Sequence, residues 1–341
     1  MKRFVAVLLL MCAFAGVFAG CGAASASQGS VRLILGAYSA PSQAFAKVIP
    51  LFQAYWKQQT GQTVTFQQSY LGSGAQSRAI INGFRADVAA LSVTPDVNAI
   101  AKAGLITHDW TRTATKGMIT ESVVAFAVRK GNPKNIHDWA DLARPGVQIL
   151  TPNPATSGGA QWNILALYGA ALRGQVAGAA ANDPAAASSF LEAVLKNVKV
   201  MDKDARTSIT TFEKGIGDVA ITYESEVLYA RQKGESDELV IPSSTILIQN
   251  PAAVVDVYAK QHGVQKAAQA FVSFLTTPSA QQAFASIGYR PVVPASQQTA
   301  STFAPIKDLW TIDYLGGWTK VAAGIFGASG IYTKAIAAAQ S

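Results

Sequence analysis

The chain is poor in the side chains from which catalytic and metal centres are usually made. Its 341 residues include two cysteines and three histidines. Cys12 lies inside an N-terminal apolar leader and Cys21 at its end, which leaves the body with no disulfide and no thiolate metal site. His108, His137 and His262 share no motif, and each reads as a surface or helix-end residue rather than a ligand or base. Charge is sparse too. Only 14% of residues are charged against 50% hydrophobic, the balance of a compact globular protein with disorder confined to its ends. The net charge of +8 falls to +6 without the leader's Lys2 and Arg3, and no basic run of five or more occurs. That excludes a nucleic-acid face and suits a mild attraction for small anions.

What is present begins with the leader. Lys2-Arg3 form a positive end, and Phe4 to Phe18 an apolar core too short for a lasting transmembrane span. Residues 1–20 are therefore expected to be a signal peptide and the body to be exported. Phe18-Ala19-Gly20-Cys21 resembles the lipobox of bacterial lipoproteins, which implies lipidation of Cys21 and anchorage of a soluble body to a membrane. Ordinary cleavage near Ala23 is the alternative. Residues 21–30 then read as a flexible tether.

The rest is organised around Thr151-Pro152-Asn153-Pro154-Ala155-Thr156-Ser157-Gly158-Gly159-Ala160-Gln161-Trp162-Asn163. The stretch follows an apolar run, Val147 to Leu150, that suits a strand. Its prolines keep the backbone extended until Thr156 or Ser157 can cap a helix carrying Trp162, Ile164, Leu165, Leu167, Tyr168 and Leu172. Gly158 and Gly159 fall in the first turn, where free N–H groups point outward and the helix dipole favours an anion. An N-cap with two loop glycines is the plainer reading of an isolated Ser-Gly-Gly.

A second glycine-flanked serine, Gly72-Ser73-Gly74, also stands between a strand (Val64 to Gln68) and a helix, with Ser73 as a candidate cap. There is also a faint internal repeat. Val64 to Ser92 and Val198 to Ser225 both run strand, turn, helix, Gly, strand, which points to two α/β lobes with ligands at the carboxyl ends of their strands. Residues 31–37 read as a first strand, a helix follows through Phe45 to Trp56 and closes at Gly61, and Ser122 to Arg129 is a further strand. Residues 174–188 have no clear period and read as a loop or helix extension; 245–249 and 251–257 read as two extended pieces.

Taken together these residues resemble a family. TPNPxxSGGAxWN, VRKGNPKxIxDW, Gly-Ser-Gly after a Gln-Ser strand end, GIGDVxIxYE, YRPV and TIDxxGGW, from about Leu33 to Tyr332, are similar to the periplasmic sulfate/thiosulfate-binding proteins of ABC transporters. The resemblance implies an α/β fold of the type II periplasmic-binding-protein class, two α/β lobes joined by two crossover strands with the ligand cleft between them. Residues 31–120 and 248–341 would form lobe I and 121–247 lobe II. It implies sulfate or thiosulfate as ligand, no cofactor, a monomer, and as partners ABC permease subunits with a cytoplasmic ATPase.

Carried over position by position, the ligand-binding residues are Ser73, Ser157, Gly158, Gly159 and Ala205, with Gly72, Gly74 and Arg206 in support. Arg206 would lie behind the site, bonded to the peptide framework. Three places depart from the family: an Asp becomes Ser39, a Trp that donates its indole N–H becomes Tyr223, whose O–H can still donate, and a His-Gly-Gly-Ser-Gly form becomes Tyr70-Leu71-Gly72-Ser73-Gly74. The resulting donors are the N–H groups of Ser73, Ser157, Gly158, Gly159 and Ala205 and the hydroxyls of Ser73, Ser157 and Tyr223. All are neutral, so local dipoles would balance the dianion. A protonated phosphate would find no acceptor and lose, and sulfate affinity would change little between about pH 5 and 8 with no titrating group beside the anion. Molybdate or tungstate are the alternative ligands. A secreted serine hydrolase using Ser157 or Ser73 is the rival from another class, disfavoured because neither serine sits in Gly-x-Ser-x-Gly and no base is placed beside it.

Overall fold

The computed structural model describes residues 29–293 and 303–340. The leader, Cys21 and the tether through residue 28 lie outside the described residues, and Ser30, expected in the tether, already begins the first strand.

Val31-Arg32-Leu33-Ile34-Leu35 begins β1 (Ser30–Tyr38), whose inner face, Leu33, Leu35 and Ala37, is fully buried. α1 (Ser42–Thr60) packs Phe45, Val48, Phe52 and Trp56 on that sheet and ends at Gly61, which takes the left-handed conformation. Then come β2 (Thr63–Leu71), α2 (Ser73–Ile81), β3 (Val88–Ala90) and α3 (Thr94–Lys102). β1 pairs in parallel with β2 on one side and β3 on the other. The β2-α2-β3 unit therefore steps across β1.

The next group repeats this plan. β4 (Met118–Val128) leads to β5 (Ile149–Pro152), α4 (Gly158–Leu172), α5 (Pro184–Lys196), β6 (Val198–Asp202), α6 (Ala205–Glu213), β7 (Val219–Tyr223), α7 (Glu224–Gln232) and β8 (Glu238–Val240). β6 and β7 flank β5 in parallel, so β6-α6-β7 steps across β5 as its counterpart steps across β1. The repeat legible in the sequence is thus a repeat of topology. β9 (Ser244–Val254), α8 (Asp256–Gln261), α9 (Gln265–Phe274), α10 (Pro278–Ala285), β10 (Asp308–Trp310), α11 (Gly317–Gly324) and α12 (Ile331–Gln340) complete the described chain.

The strand order is β2-β1-β3-β9-β4-β7-β5-β6. β9 closes the first group against β3 and β4 closes the second against β7, both antiparallel, and β4 pairs with β9 between them. These two long strands are the crossovers. β9 replaces the two extended pieces read from the sequence: it runs on through Asn250-Pro251, because Pro251 faces a register shift in β4 where an N–H is not needed. The stretch 174–188, expected as a loop or helix extension, runs at its end into the separate helix α5; Asp183 starts it, accepting from the N–H groups of Ala185 and Ala186.

The two largest apolar cores lie around Phe45, Phe52, Phe271 and Phe284 and around Phe126, Trp139, Trp162, Leu165 and Leu191, with smaller ones around Ile80, Val97 and Ile100 and around Leu150, Ile209 and Phe212. The segment from Asp308 was expected in lobe I and belongs elsewhere. β10 pairs with Ser244–Ile246, and Trp310, Val321, Ile325 and Ala335 pack into the core around Trp162. Gly169 makes room for it, since a Cβ there would lie 2.1 Å from the Trp310 ring.

Candidate functional site

The expected ligand residues stand at the carboxyl ends of strands, three in each group: Ser39 after β1, Ser73 after β2, Ser157 to Gly159 after β5, Ala205 after β6, Tyr223 ending β7, and Ser92 after β3. The last had not been singled out. Ser73, Ser92, Ser157, Ala205 and Tyr223 are all buried, and Ser39 is 8% exposed at the turn into α1.

Glycine positions show how closely the two groups meet. A Cβ on Gly158 would lie 2.8 Å from Ser92 Oγ and 3.1 Å from Ser73 Cβ; one on Gly159 would lie 2.8 Å from the Tyr223 ring and 3.3 Å from both its hydroxyl and Ala205 Cβ. The first turn of α4 is therefore the meeting point of Ser73, Ser92, Ala205 and Tyr223. Gly72 shows the same at the rim, where a Cβ would lie 2.5 Å from the Thr156 carbonyl and 3.0 Å from that of Lys203. Gly74 is looser, its nearest neighbour being the Arg78 side chain.

Hydrogen bonds cross the same seam. Ser92 Oγ lies 2.6 Å from Tyr223 Oη, and the Ser92 carbonyl accepts from Trp162 Nε1 at 3.0 Å. Ala75 N donates to the Thr156 carbonyl at 3.3 Å, and Arg206 Nη2 to the Ala40 carbonyl at 3.3 Å. An ion pair joins the lobes as well, Arg290 binding Glu224 at 2.7 and 3.0 Å, so the seam combines backbone, neutral side chains and charged groups.

Three helices present N-termini here. Gly158 and Gly159, Ser73 and Ala205 occupy first turns of α4, α2 and α6, whose leading N–H groups have no intrahelical acceptor. The expected donor set changes in detail. The Ser157 N–H is committed to the Asn153 carbonyl at 2.9 Å, while its hydroxyl accepts from Ala160 N and keeps its own proton to give. Ser73 is not the cap of α2, a place taken by Gly72. Its hydroxyl proton goes to Asp96 Oδ2 at 2.5 Å and its oxygen accepts from Ser92 N at 2.9 Å. What Ser73 can offer an anion is its backbone N–H.

Titrating groups are nearer than expected. Burial pushes Asp96 up to about 6 against the opposing pull of its Ser73 bond and of Arg78. Burial likewise lifts Glu226 to about 7, opposed by Arg206, which it binds at 3.0 Å. A pH-independent affinity would then require both carboxyls to keep the same protonation with and without ligand. The Tyr223 phenol, buried and beside Tyr38, is held well above its ordinary value and keeps its proton. Arg206 spends its guanidinium on Glu226, the Ala40 carbonyl and the Tyr229 ring.

The histidines have local duties: His108 bonds Asp256 at 2.6 Å and His262 bonds Asp87 at 2.7 Å, both away from the serines. Among the described residues no group of three or more His, Cys, Asp or Glu side chains is placed to hold a metal ion.

Comparison with known proteins agrees with this architecture. The model of a family described as bacterial extracellular solute-binding protein matches residues 33–290. The chain belongs to that family. A sulfate-binding protein of Synechococcus elongatus is 44% identical, the match covering 98% of this chain and 96% of that protein. A thiosulfate-binding protein of Escherichia coli is 37% identical over 92% of this chain and 93% of its own. Among solved structures, the sulfate-binding protein SubI from Mycobacterium tuberculosis superposes with a TM-score of 0.78 at 39% identity, covering 85% of this chain and 98% of that one. The fold is that of the type II periplasmic binding proteins, and the chain is a solute-binding protein, not an enzyme.

Proposed function

We propose that this chain is the extracytoplasmic substrate-binding component of an ABC importer and that its ligand is sulfate. The observation that carries this reading is the convergence of three helix N-termini, α2 from one lobe and α4 and α6 from the other, around Gly158 and Gly159. The N–H groups of Ser73, Gly158, Gly159 and Ala205 and the hydroxyls of Ser157 and Tyr223 would surround a tetrahedral dianion with donors. The N–H of Ser39, at the end of β1, is the further candidate, with Gly72, Gly74 and Arg206 holding the frame. Names of relatives support sulfate first and thiosulfate second.

A buried dianion without hydrogen bonds would cost several kcal/mol, and these donors offset that without a counter-charge. The lobes, 31–120 with 248–293 and 121–247 with 308–340, would close on the anion because its donors belong to both. Closure would signal the permease and its ATPase, with the body a monomer tethered to the membrane through lipidated Cys21.

The test is calorimetric titration of the body from Ser25, stripped of anion, with sulfate, thiosulfate, molybdate and phosphate at fixed ionic strength. Saturable one-to-one sulfate binding with phosphate silent is expected. No sulfate binding, or preference for a larger oxyanion, refutes the ligand assignment.

A further inference from the structure

Ser92 lies just beyond β3, is fully buried, and spends every polar group it has. Its N–H donates to Ser73 Oγ, its carbonyl accepts from Trp162 Nε1 and Asn250 Nδ2, each at 3.0 Å, and its hydroxyl faces Tyr223 Oη. Resting on the oxyanion reading of the cleft, we propose that Ser92 is a positioning residue of the site: its hydroxyl donates to Tyr223 and thereby turns the single phenolic proton of Tyr223 onto the bound anion.

A hydroxyl has one proton and two lone pairs. A fully ionised oxyanion offers acceptors only, so of two hydroxyls joined by one bond, the one that accepts is the one left free to donate to it. A phenol is the stronger donor of the two. The order Ser92 to Tyr223 to anion sets that donor against the charge, and the bond received at Tyr223 Oη polarises its O–H further. Both hydroxyls border the first turn of α4: Tyr223 Oη lies 3.3 Å from the Cβ position of Gly159 and Ser92 Oγ 2.8 Å from that of Gly158, with 2.6 Å between the two oxygens. The order within the pair is therefore set by the stronger donor taking the charge. The remaining polar groups of Ser92 fix its backbone to both lobes, so its hydroxyl cannot drift. Burial keeps the phenol protonated across the physiological range.

The experiment is a double-mutant cycle, Ser92→Ala and Tyr223→Phe singly and together, with sulfate affinity measured by calorimetry on the folded body. Tyr223→Phe should weaken binding by about 10- to 100-fold, the loss of one hydrogen bond to a charged group. Ser92→Ala should weaken it by about 3- to 10-fold in the wild type, and by less than about twofold when Tyr223 is already Phe, because Ser92 acts only through the phenol. Should Ser92→Ala fail to fold, Ser92→Cys keeps the volume with a much weaker donor and carries the cycle. Unchanged affinity in the single serine variant, or an equal loss in both backgrounds, overturns the proposal. Absence of sulfate binding in the wild type would instead overturn the function reading beneath it.

Discussion

Gly72→Ala isolates closure from ligand contact. Gly72 has φ −59° and ψ 143°, a conformation any residue adopts, so the turn itself does not call for glycine. What calls for it is the opposite lobe, since the new methyl would meet the Thr156 carbonyl at 2.5 Å and the Lys203 carbonyl at 3.0 Å, both backbone atoms that cannot swing away. A comfortable carbon-to-oxygen approach is about 3.3 Å. The lobes must therefore part by about 0.8 Å at the rim, as judged from that approach distance. Hydrogen bonds that an anion makes to one lobe would survive, and those to the other would stretch. With charge-assisted bonds worth about 1.5–3 kcal/mol each, loss of the equivalent of one weakens sulfate binding by about 10- to 100-fold. The ligand-free protein should not suffer, because alanine at compatible dihedrals stabilises by about 0.4–1 kcal/mol through the unfolded chain. Calorimetric titration beside a ligand-free thermal melt separates the two effects. An alanine variant that binds sulfate within about threefold of wild type, a difference well below one such bond, would refute the claim that closure brings these backbones together.

Three other perturbations test the surrounding frame. Trp162→Phe removes the indole N–H that crosses to the Ser92 carbonyl, and should speed sulfate release by about 5- to 10-fold in stopped-flow measurements, the loss of one neutral hydrogen bond. Arg206→Met leaves Glu226 buried beside an apolar neighbour and should cost about 2–3 kcal/mol in urea unfolding at pH 8, and with its bond to the Ala40 carbonyl lost the folded protein should bind sulfate about 3- to 10-fold more weakly. Glu226, lifted from 4.5 to about 7, binds protons more tightly folded than unfolded, so stability falls as pH rises through that window and is lowest above it. The loss is about 3 kcal/mol at most. Glu226→Gln should flatten the corresponding part of the urea midpoint between pH 5 and 8, and an unaltered pH profile would place the titration elsewhere.

The parts of this molecule legible in the sequence are those whose cause is local. β1 and α1 follow from apolar spacing, Gly61 from the left-handed end of a helix, and the two α/β lobes from punctuation repeated at Val64 to Ser92 and Val198 to Ser225. α5 was not legible, because its Ala-rich start has little apolar period and rests on the Asp183 cap and on packing against α12. The C-terminal segment was misplaced for a related reason. Nothing within Asp308 to Gln340 says which lobe it covers; that is decided by Trp310 entering the space that Gly169 leaves on α4.

Ser92 is the instructive case, because a signal for it was present. In the repeat, Ala86 to Leu91 matches Gly217 to Thr222, which sets Ser92, just beyond β3, against Tyr223, the last residue of β7. Since strand carboxyl ends face the cleft in both lobes, that equivalence requires the two positions to approach each other once the lobes close, whatever their residue types. The 2.6 Å contact between their hydroxyls is the consequence. A serine without flanking glycines carries no motif of its own, and only the symmetry of the two lobes distinguishes it from the chain's other serines. Topology, not local pattern, therefore brings Ser92 to Tyr223, and a tryptophan at 223, donor only, could not receive the proton that Ser92 has to give.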